Sequence, residues 1–209
     1  INLKNINSKL KSSTKEYSQK LIKEIKNKKY DIVEIHNRPL ILFNLIKKIE
    51  TNFIFYFHND PLSMKGSKRI DERLLILKNC AKIIFVSEWV RSRFFLDIDK
   101  KLTAKTEVVY PSVYNQKNFK KEKIISFVGR LNYSKGYDIF DKSIVKILDE
   151  FPEWRALSIG DEDRRSIYIN HKQHKEMGFL NHKSTLNTLS KSEIAVVPSR
   201  WEEPFGRTS

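Results

Sequence analysis

Ile124-Ile125-Ser126-Phe127-Val128-Gly129-Arg130-Leu131-Asn132-Tyr133-Ser134-Lys135-Gly136 is the stretch that decides how this 209-residue chain is read. Residues 124–128 are an apolar, β-branched and aromatic run that stops at a glycine, so the spacing predicts a buried strand followed by a tight turn. From Tyr137 onward Phe140, Ile144, Ile147, Leu148 and Phe151 recur at the period of one helical face, and Pro152 ends the pattern. The unit reads as strand, glycine loop, helix. A helix start offers unpaired N–H groups and a partial positive charge, and Arg130 and Lys135 stand beside it with two full charges. Charge-assisted hydrogen bonds contribute roughly 1.5–3 kcal/mol each, enough for two cations and helix amides to hold a diphosphate without a metal. Taken alone, the same two residues read better as solvated loop cations.

Working outward, strands alternate with helices on both sides of this unit. Toward the N-terminus a surface helix is expected over 12–29 and a strand over 31–36 ending at Asn37-Arg38-Pro39. A helix over 40–49 and a nearly all-apolar strand over 52–58 follow, the latter read as covered on both faces. A helix over 70–78, a strand over 82–86, a helix opened by Ser87 and Glu88 and a fourth strand over 106–110 complete this half. The polar stretch 111–123 separates it from the second half, which places the domains at 1–117 and 118–209. There the expected elements are strands 124–128, 156–159 and 194–197, helices 137–150 and 184–190, and a short element at Gly178-Phe179-Leu180. Such alternation implies βαβ units and parallel sheets, whose ligands sit at the carboxyl ends of the strands. His36, His58 and Ser87 stand at such ends.

Composition narrows the classes further. With 40% hydrophobic residues the chain can build a core, and its single cysteine, Cys80, excludes a disulfide framework and fits a reducing compartment. The longest strictly apolar run is the five residues Phe53 to Phe57, far below the roughly 18 a membrane span needs. No signal peptide is visible. The balance of 40 Lys+Arg against 25 Asp+Glu gives +15. The lysines are scattered through helices and loops, which fits a lysine-rich composition first, attraction to an anionic membrane surface second and nucleic acid third.

Phe127-Val128-Gly129-Arg130-Leu131, then Lys135-Gly136, and later Pro198-Ser199-Arg200-Trp201-Glu202-Glu203-Pro204-Phe205-Gly206 resemble the paired C-terminal motifs of the retaining glycosyltransferases of family 4. Gly136 and Gly206 are 70 residues apart. The segments at 31–39, 57–61, 85–91, 178–180 and 193–199 are similar to further family segments in the same order. The resemblance implies the GT-B fold, α/β with two facing Rossmann-like domains, both incomplete here. The family's N-terminal Gly-rich loop would precede Ile1, and the second Glu of its Glu, seven residues, Glu motif would fall two residues beyond Ser209, so both ends are expected to be missing.

The resemblance also implies transfer of a sugar from a nucleoside-diphosphate sugar, with retention, to a glycan or lipid-linked acceptor. In such a reaction negative charge builds on the departing phosphate, and fixed cations aimed at it are the largest expected contribution. Arg130 and Lys135 match the family's phosphate clamp. Glu203 matches the carboxylate that holds donor-sugar hydroxyls; its alternative is a surface acid before a helix expected from Phe205 and Gly206. Glu202 reads as solvated or as an interdomain contact. Gly129, Phe179, Leu180, Phe205 and Gly206 complete the expected donor-binding set. His58 matches the active-site histidine of the N-terminal domain, or is only a satisfied polar residue at a strand end. Asn37 and Ser87 are weaker candidates for lining the acceptor cleft.

No metal or other cofactor is expected. Asp161-Glu162-Asp163 resembles a metal-binding cluster but is read as the start of a helix after Gly160, and His171, His174 and His182 lack a ligand spacing. The expected setting is cytoplasmic, with peripheral attachment to the inner membrane face as an option and no nucleic-acid partner. Two rivals stay open: a sugar-nucleotide epimerase on the same architecture, and a non-catalytic basic module that binds nucleic acid or lipid. Steep loss of binding with added salt would mark the latter.

Overall fold

The computed structural model describes residues 14–112, 120–163 and 166–206, apart from the side chains of residues 100–102. The chain divides into two compact units, Ile1–Pro111 and Ser112–Ser209. In the first, helix α1 (Thr14–Lys28) leads into β1 (Ile32–His36), α2 (Pro39–Leu45), β2 (Asn52–Phe57), α3 (Ile70–Asn79), β3 (Cys80–Phe85), α4 (Glu88–Phe94) and β4 (Thr106–Val108). The four strands form one parallel sheet in chain order.

Period-two alternation explains how this sheet buries its core. Phe53, Phe55 and Phe57 are buried while Asn52, Ile54 and Tyr56 are not, so β2 is covered on one face and partly open on the other. This corrects the expectation of a strand covered on both sides: Asn52 and Tyr56 carry the polar groups that such a position would exclude. On the covered face Phe57, Phe85 and Phe94 meet with ring centroids 5.2–5.6 Å apart. Each buried ring of this kind contributes roughly 1.5–3 kcal/mol. Cys80 opens β3 in the same sheet, and burial pushes its thiol up to about 12, where it is not a nucleophile.

Among the described residues of this unit Arg73 is the buried charge. Its guanidinium, 2% exposed, donates to the carbonyls of Phe94 and Leu96 at the end of α4, the latter at 2.8 Å. It therefore satisfies acceptors that a helix terminus leaves without partners. At the other end of α4 Ser87 accepts from the Val90 amide at 3.2 Å, the cap its sequence position predicts.

The second unit runs β5 (Glu122–Val128), α5 (Tyr137–Glu150), β6 (Arg155–Ile159), β7 (His174–Gly178), α6 (His182–Lys191) and β8 (Ser192–Val196). Its parallel sheet has the order β7-β6-β5-β8. Phe127, Tyr137, Phe140, Ile144 and Leu148 pack one face of α5 onto β5, as the helical spacing predicts. The chain moves from β5 outward through β6 to β7 and then returns to the opposite side of β5. The carboxyl ends of β5 and β8 thus flank a reversal of strand order, the place where open α/β sheets form their crevices.

Two sequence expectations fail here. The strand near residue 178 lies at His174–Gly178, ahead of Phe179 and Leu180. Residues 161–163 start no helix but continue a loop, in which Glu162 turns to Arg130 and Asn132. Pro204 and Phe205 form a bend, and the remainder of the helix expected there lies outside the described residues.

Candidate functional site

At the strand-order reversal a pocket of about 150 Å³ is lined by Phe127, Val128, Gly129, Lys135, Val197, Pro198, Ser199 and Glu203. The turn after β5 makes one wall. Asn132 caps a 3-10 turn, Tyr133–Lys135, by accepting from the Lys135 amide at 3.2 Å. Gly136 follows with φ 71°, a left-handed conformation that lets α5 start at once. A Cβ there would come within 2.0 Å of the Pro198 carbonyl oxygen, so the glycine also allows the segment after β8 to lie against the turn.

That segment makes the opposite wall and is tied to the first by its backbone. The Ser134 carbonyl accepts from the amides of Arg200 at 3.0 Å and Trp201 at 3.2 Å. Arg200 also forms a two-pronged ion pair with Asp138 on α5, at 2.6 and 2.8 Å. The Arg200 hydrogen bond holds the Asp138 carboxyl below the usual aspartate range and raises the arginine in turn. Across the pocket Lys135 pairs with Glu203, whose same oxygen accepts from the Ser199 hydroxyl at 3.2 Å. These two side chains are 30% and 27% exposed, which leaves both reachable by a ligand.

Arg130 points to a different partner. It reaches both oxygens of Glu162, Oε2 at 3.0 Å and Oε1 at 3.1 Å, and Asn132 donates to the same Oε2 at 2.7 Å. Glu162 is 9% exposed while Arg130 is 69% exposed, so a buried acid positions an exposed guanidinium. Behind the pocket the glycines at the strand ends stand shoulder to shoulder. The Gly129 amide donates to Ile159 O at 3.0 Å and the Gly160 amide to Gly178 O at 2.9 Å.

The structure therefore gathers Gly129, Lys135 and Glu203 at one pocket, with Arg130 on the same loop. Phe179 and Leu180 follow β7, beyond β6 from the pocket, and Phe179 is 80% exposed. Phe205 and Gly206 continue directly from Glu203 and are half-buried. Glu202 is exposed. Sequence reasoning missed Asn132, Glu162 and Asp138, which act by holding other residues. An asparagine three residues before Lys135 was the one local signal, since Asn is a preferred cap.

In the first unit His58 sits just after β2. Asn37 accepts from the His58 amide at 2.8 Å and itself adopts a left-handed φ of 49°. His36 Nδ1 and His58 Nε2 are 2.7 Å apart. Ser87 is occupied as the cap of α4. Among the described residues no group of three or more His, Cys, Asp or Glu is set to hold a metal. His171 lies 3.3 Å from Asp149, and His174 bonds the Ser158 hydroxyl at 2.8 Å. No helix among the described residues is long and apolar enough to cross a membrane.

The family model of "Glycosyl transferases group 1" matches residues 113–209, which hold the pocket. Spore coat protein SA of Bacillus subtilis (strain 168) is 24% identical over 229 residues, covering 91% of this chain and 59% of that protein. Among solved structures, the glycosyltransferase from Rickettsia africae ESF-5 superposes with a TM-score of 0.69 at 20% identity, over 98% of this chain and 60% of that one. Anabaena Alr3699/HepE in complex with UDP-glucose gives a TM-score of 0.64 at 15% identity, over 91% and 58%. The chain thus spans less than two thirds of each of these relatives. Its fold class is GT-B: α/β, with two Rossmann-like units built on parallel sheets.

Proposed function

We propose that the chain carries the donor site of a retaining glycosyltransferase that moves a sugar from a nucleoside-diphosphate sugar to a glycan or lipid-linked acceptor. The observation that carries this reading is the Lys135–Glu203 pair across the pocket at the β5/β8 reversal, joined by Ser199. A diphosphate arriving at Lys135 takes over part of the ammonium's charge and releases Glu203 toward sugar hydroxyls, so one pair presents a cation to the leaving group and an acceptor to the sugar. Arg130, aimed by Glu162, adds a second charge, and the chain's own cations then do the electrostatic work without a metal. Gly129 lets the phosphates approach the backbone, Phe205 and Gly206 extend the wall beside Glu203, and Phe179 with Leu180 offers an apolar surface for the base. In the first unit we assign His58 to hydrogen bonding near the reacting carbon.

Support comes from the family match over the pocket and from HepE, a protein of the same fold whose structure contains UDP-glucose. The test is calorimetric titration with uridine, guanosine and adenosine diphosphates and their sugar forms. One nucleotide is expected to bind, with affinity about tenfold or more weaker in Lys135→Ala and Arg130→Ala, the loss of one charge-assisted bond each. In Glu203→Ala the nucleotide affinity should persist while the increment from the sugar disappears. Equal affinity of all three variants and the unaltered chain for a nucleotide would sink the reading.

A further inference from the structure

Asn132 stands between the two cations of the turn after β5, and each of its polar groups is engaged. Its backbone N–H donates to the Arg130 carbonyl at 2.8 Å, and its carbonyl accepts from the Tyr137 amide at 3.1 Å. Its side-chain oxygen accepts from the Lys135 amide at 3.2 Å and from the Ser134 hydroxyl at 2.8 Å, while its side-chain nitrogen donates to Glu162 Oε2 at 2.7 Å. The two ends of this side chain cannot be exchanged, because donors face the oxygen and a carboxylate faces the nitrogen. Glu162 in turn holds Arg130 through the terminal nitrogen Nη2, at 3.0 and 3.1 Å. A ligand can reach the rest of that guanidinium, since the side chain is 69% exposed.

We propose that Asn132 joins Arg130 and Lys135 into one preformed clamp for a diphosphate, with Glu162 as its fixed counter-ion and Glu203 as its exchangeable one. The use of the clamp rests on the sugar-transfer reading, and the inference goes beyond it by making the two cations one unit rather than two independent charges. The two acids differ in what their removal leaves behind. Glu162 is 9% exposed and accepts from both Arg130 and Asn132, so parting it from these donors would strand a carboxylate away from water. Glu203 is 27% exposed, and water or ligand hydroxyls can replace Lys135 there. An arriving diphosphate therefore displaces Glu203 from Lys135 and leaves Glu162 on Arg130. Asn132 bonds both the backbone amide of Lys135 and the acid that orients Arg130, so a shift at either cation disturbs what holds the other. Asn132 and Glu162 are thus positioning residues that act on the ligand only through the two cations.

This arrangement reverses an electrostatic expectation. Taken as a charge alone, Glu162 opposes an anion at Arg130, and Glu162→Gln, which makes the surroundings one unit more positive, should tighten anion binding. As the counter-ion of a clamp, Glu162 orients more than it repels, and the same variant should weaken binding. Asn132→Ser separates the joint from the cap. Serine caps a helical turn about as well as asparagine, but its hydroxyl has no second arm to hold Glu162.

With arginine Nε isotopically labelled, NMR relaxation reports how far the Arg130 guanidinium is held before any ligand is added. Arg130 is expected to be ordered in the unaltered chain and mobile in Glu162→Gln and Asn132→Ser, while the denaturation midpoint of Asn132→Ser stays near that of the unaltered chain. Calorimetry with uridine, guanosine and adenosine diphosphates then tests the use of the clamp. For the nucleotide that binds, Glu162→Gln should weaken affinity about tenfold, the effect of one charge-assisted bond. In a double-mutant cycle, the loss in the variant carrying both Arg130→Ala and Lys135→Ala should differ from the product of the single losses by about twofold or more. That coupling should vanish when the cycle is repeated in Asn132→Ser. Tighter binding in Glu162→Gln, independent losses in the cycle, or an Arg130 guanidinium as mobile in the unaltered chain as in the variants would overturn the clamp. If none of the three diphosphates binds the unaltered chain, the sugar-transfer reading falls, and the relaxation comparison decides the clamp by itself.

Discussion

Gly136 and Gly160 show how single residues hold the pocket open. A Cβ on Gly160 would lie 1.8 Å from the Gly129 carbonyl oxygen, and one on Gly136 would lie 2.0 Å from that of Pro198. Both overlaps are with backbone, which a side-chain rotation cannot relieve. Gly136→Ala also places an L-residue in left-handed space, at a cost of roughly 1–2 kcal/mol before the overlap is counted. We expect Gly136→Ala to lower the denaturation midpoint and to abolish nucleotide binding, whereas alanine at Gly178, whose Cβ would meet nothing within 4 Å, lacks the overlap and should be milder. Equal denaturation midpoints for the two variants would refute the close-approach argument. Arg73 is the other residue with a large expected effect. Arg73→Met leaves buried carbonyls at the end of α4 without donors, at about 1–3 kcal/mol each, and chemical denaturation should read that loss.

Among the elements, β7 makes a testable pH-dependent contact. Tyr137 donates to the Ser158 hydroxyl at 3.2 Å, and Ser158 meets His174 Nε2, so a fully buried hydroxyl pair ends on a half-buried ring. Burial, the leading cause, lowers the His174 pKa from 6.5. The folded state therefore binds fewer protons than the unfolded state below that value, and its contribution to stability is present above pH 6.5 and is lost as pH falls toward the folded value. His174→Gln should flatten the fall in thermal midpoint from about pH 7 to about pH 5. The Asp138–Arg200 pair has the same sign in a lower window: the aspartate is depressed from 3.8, so its support persists above that value and fades below it. Asp138→Asn should remove that acid-range dependence.

The same elements show what a sequence can carry. The strands at 32–36, 52–57, 80–85 and 122–128 and helix α5 were legible because an apolar period is a local signal. The strand at 174–178 was not, since His174, Lys175 and Glu176 supply no apolar alternation and pairing with β6 alone makes them a strand. Lys135 and Glu203 were recognisable by motif, and the proximity of Arg200 to Asp138 was not, because no local pattern links positions 62 residues apart. Glu162 was misread for the same reason: its partners Arg130 and Asn132 are supplied by the neighbouring strand's loop.

Over the whole molecule, each unit has its own aromatic core, and nucleotide binding should therefore protect backbone amides from hydrogen exchange chiefly around 129–138 and 197–203 in the second. The pocket closes only when β8 pairs with β5 and brings Glu203 to Lys135 across 68 residues. Contacts at such separation form late, after shorter loops have closed. A bound nucleotide should then leave the refolding rate nearly unchanged while slowing unfolding, because its site is absent from the transition state. The protein would gain persistence from its ligand rather than speed of folding.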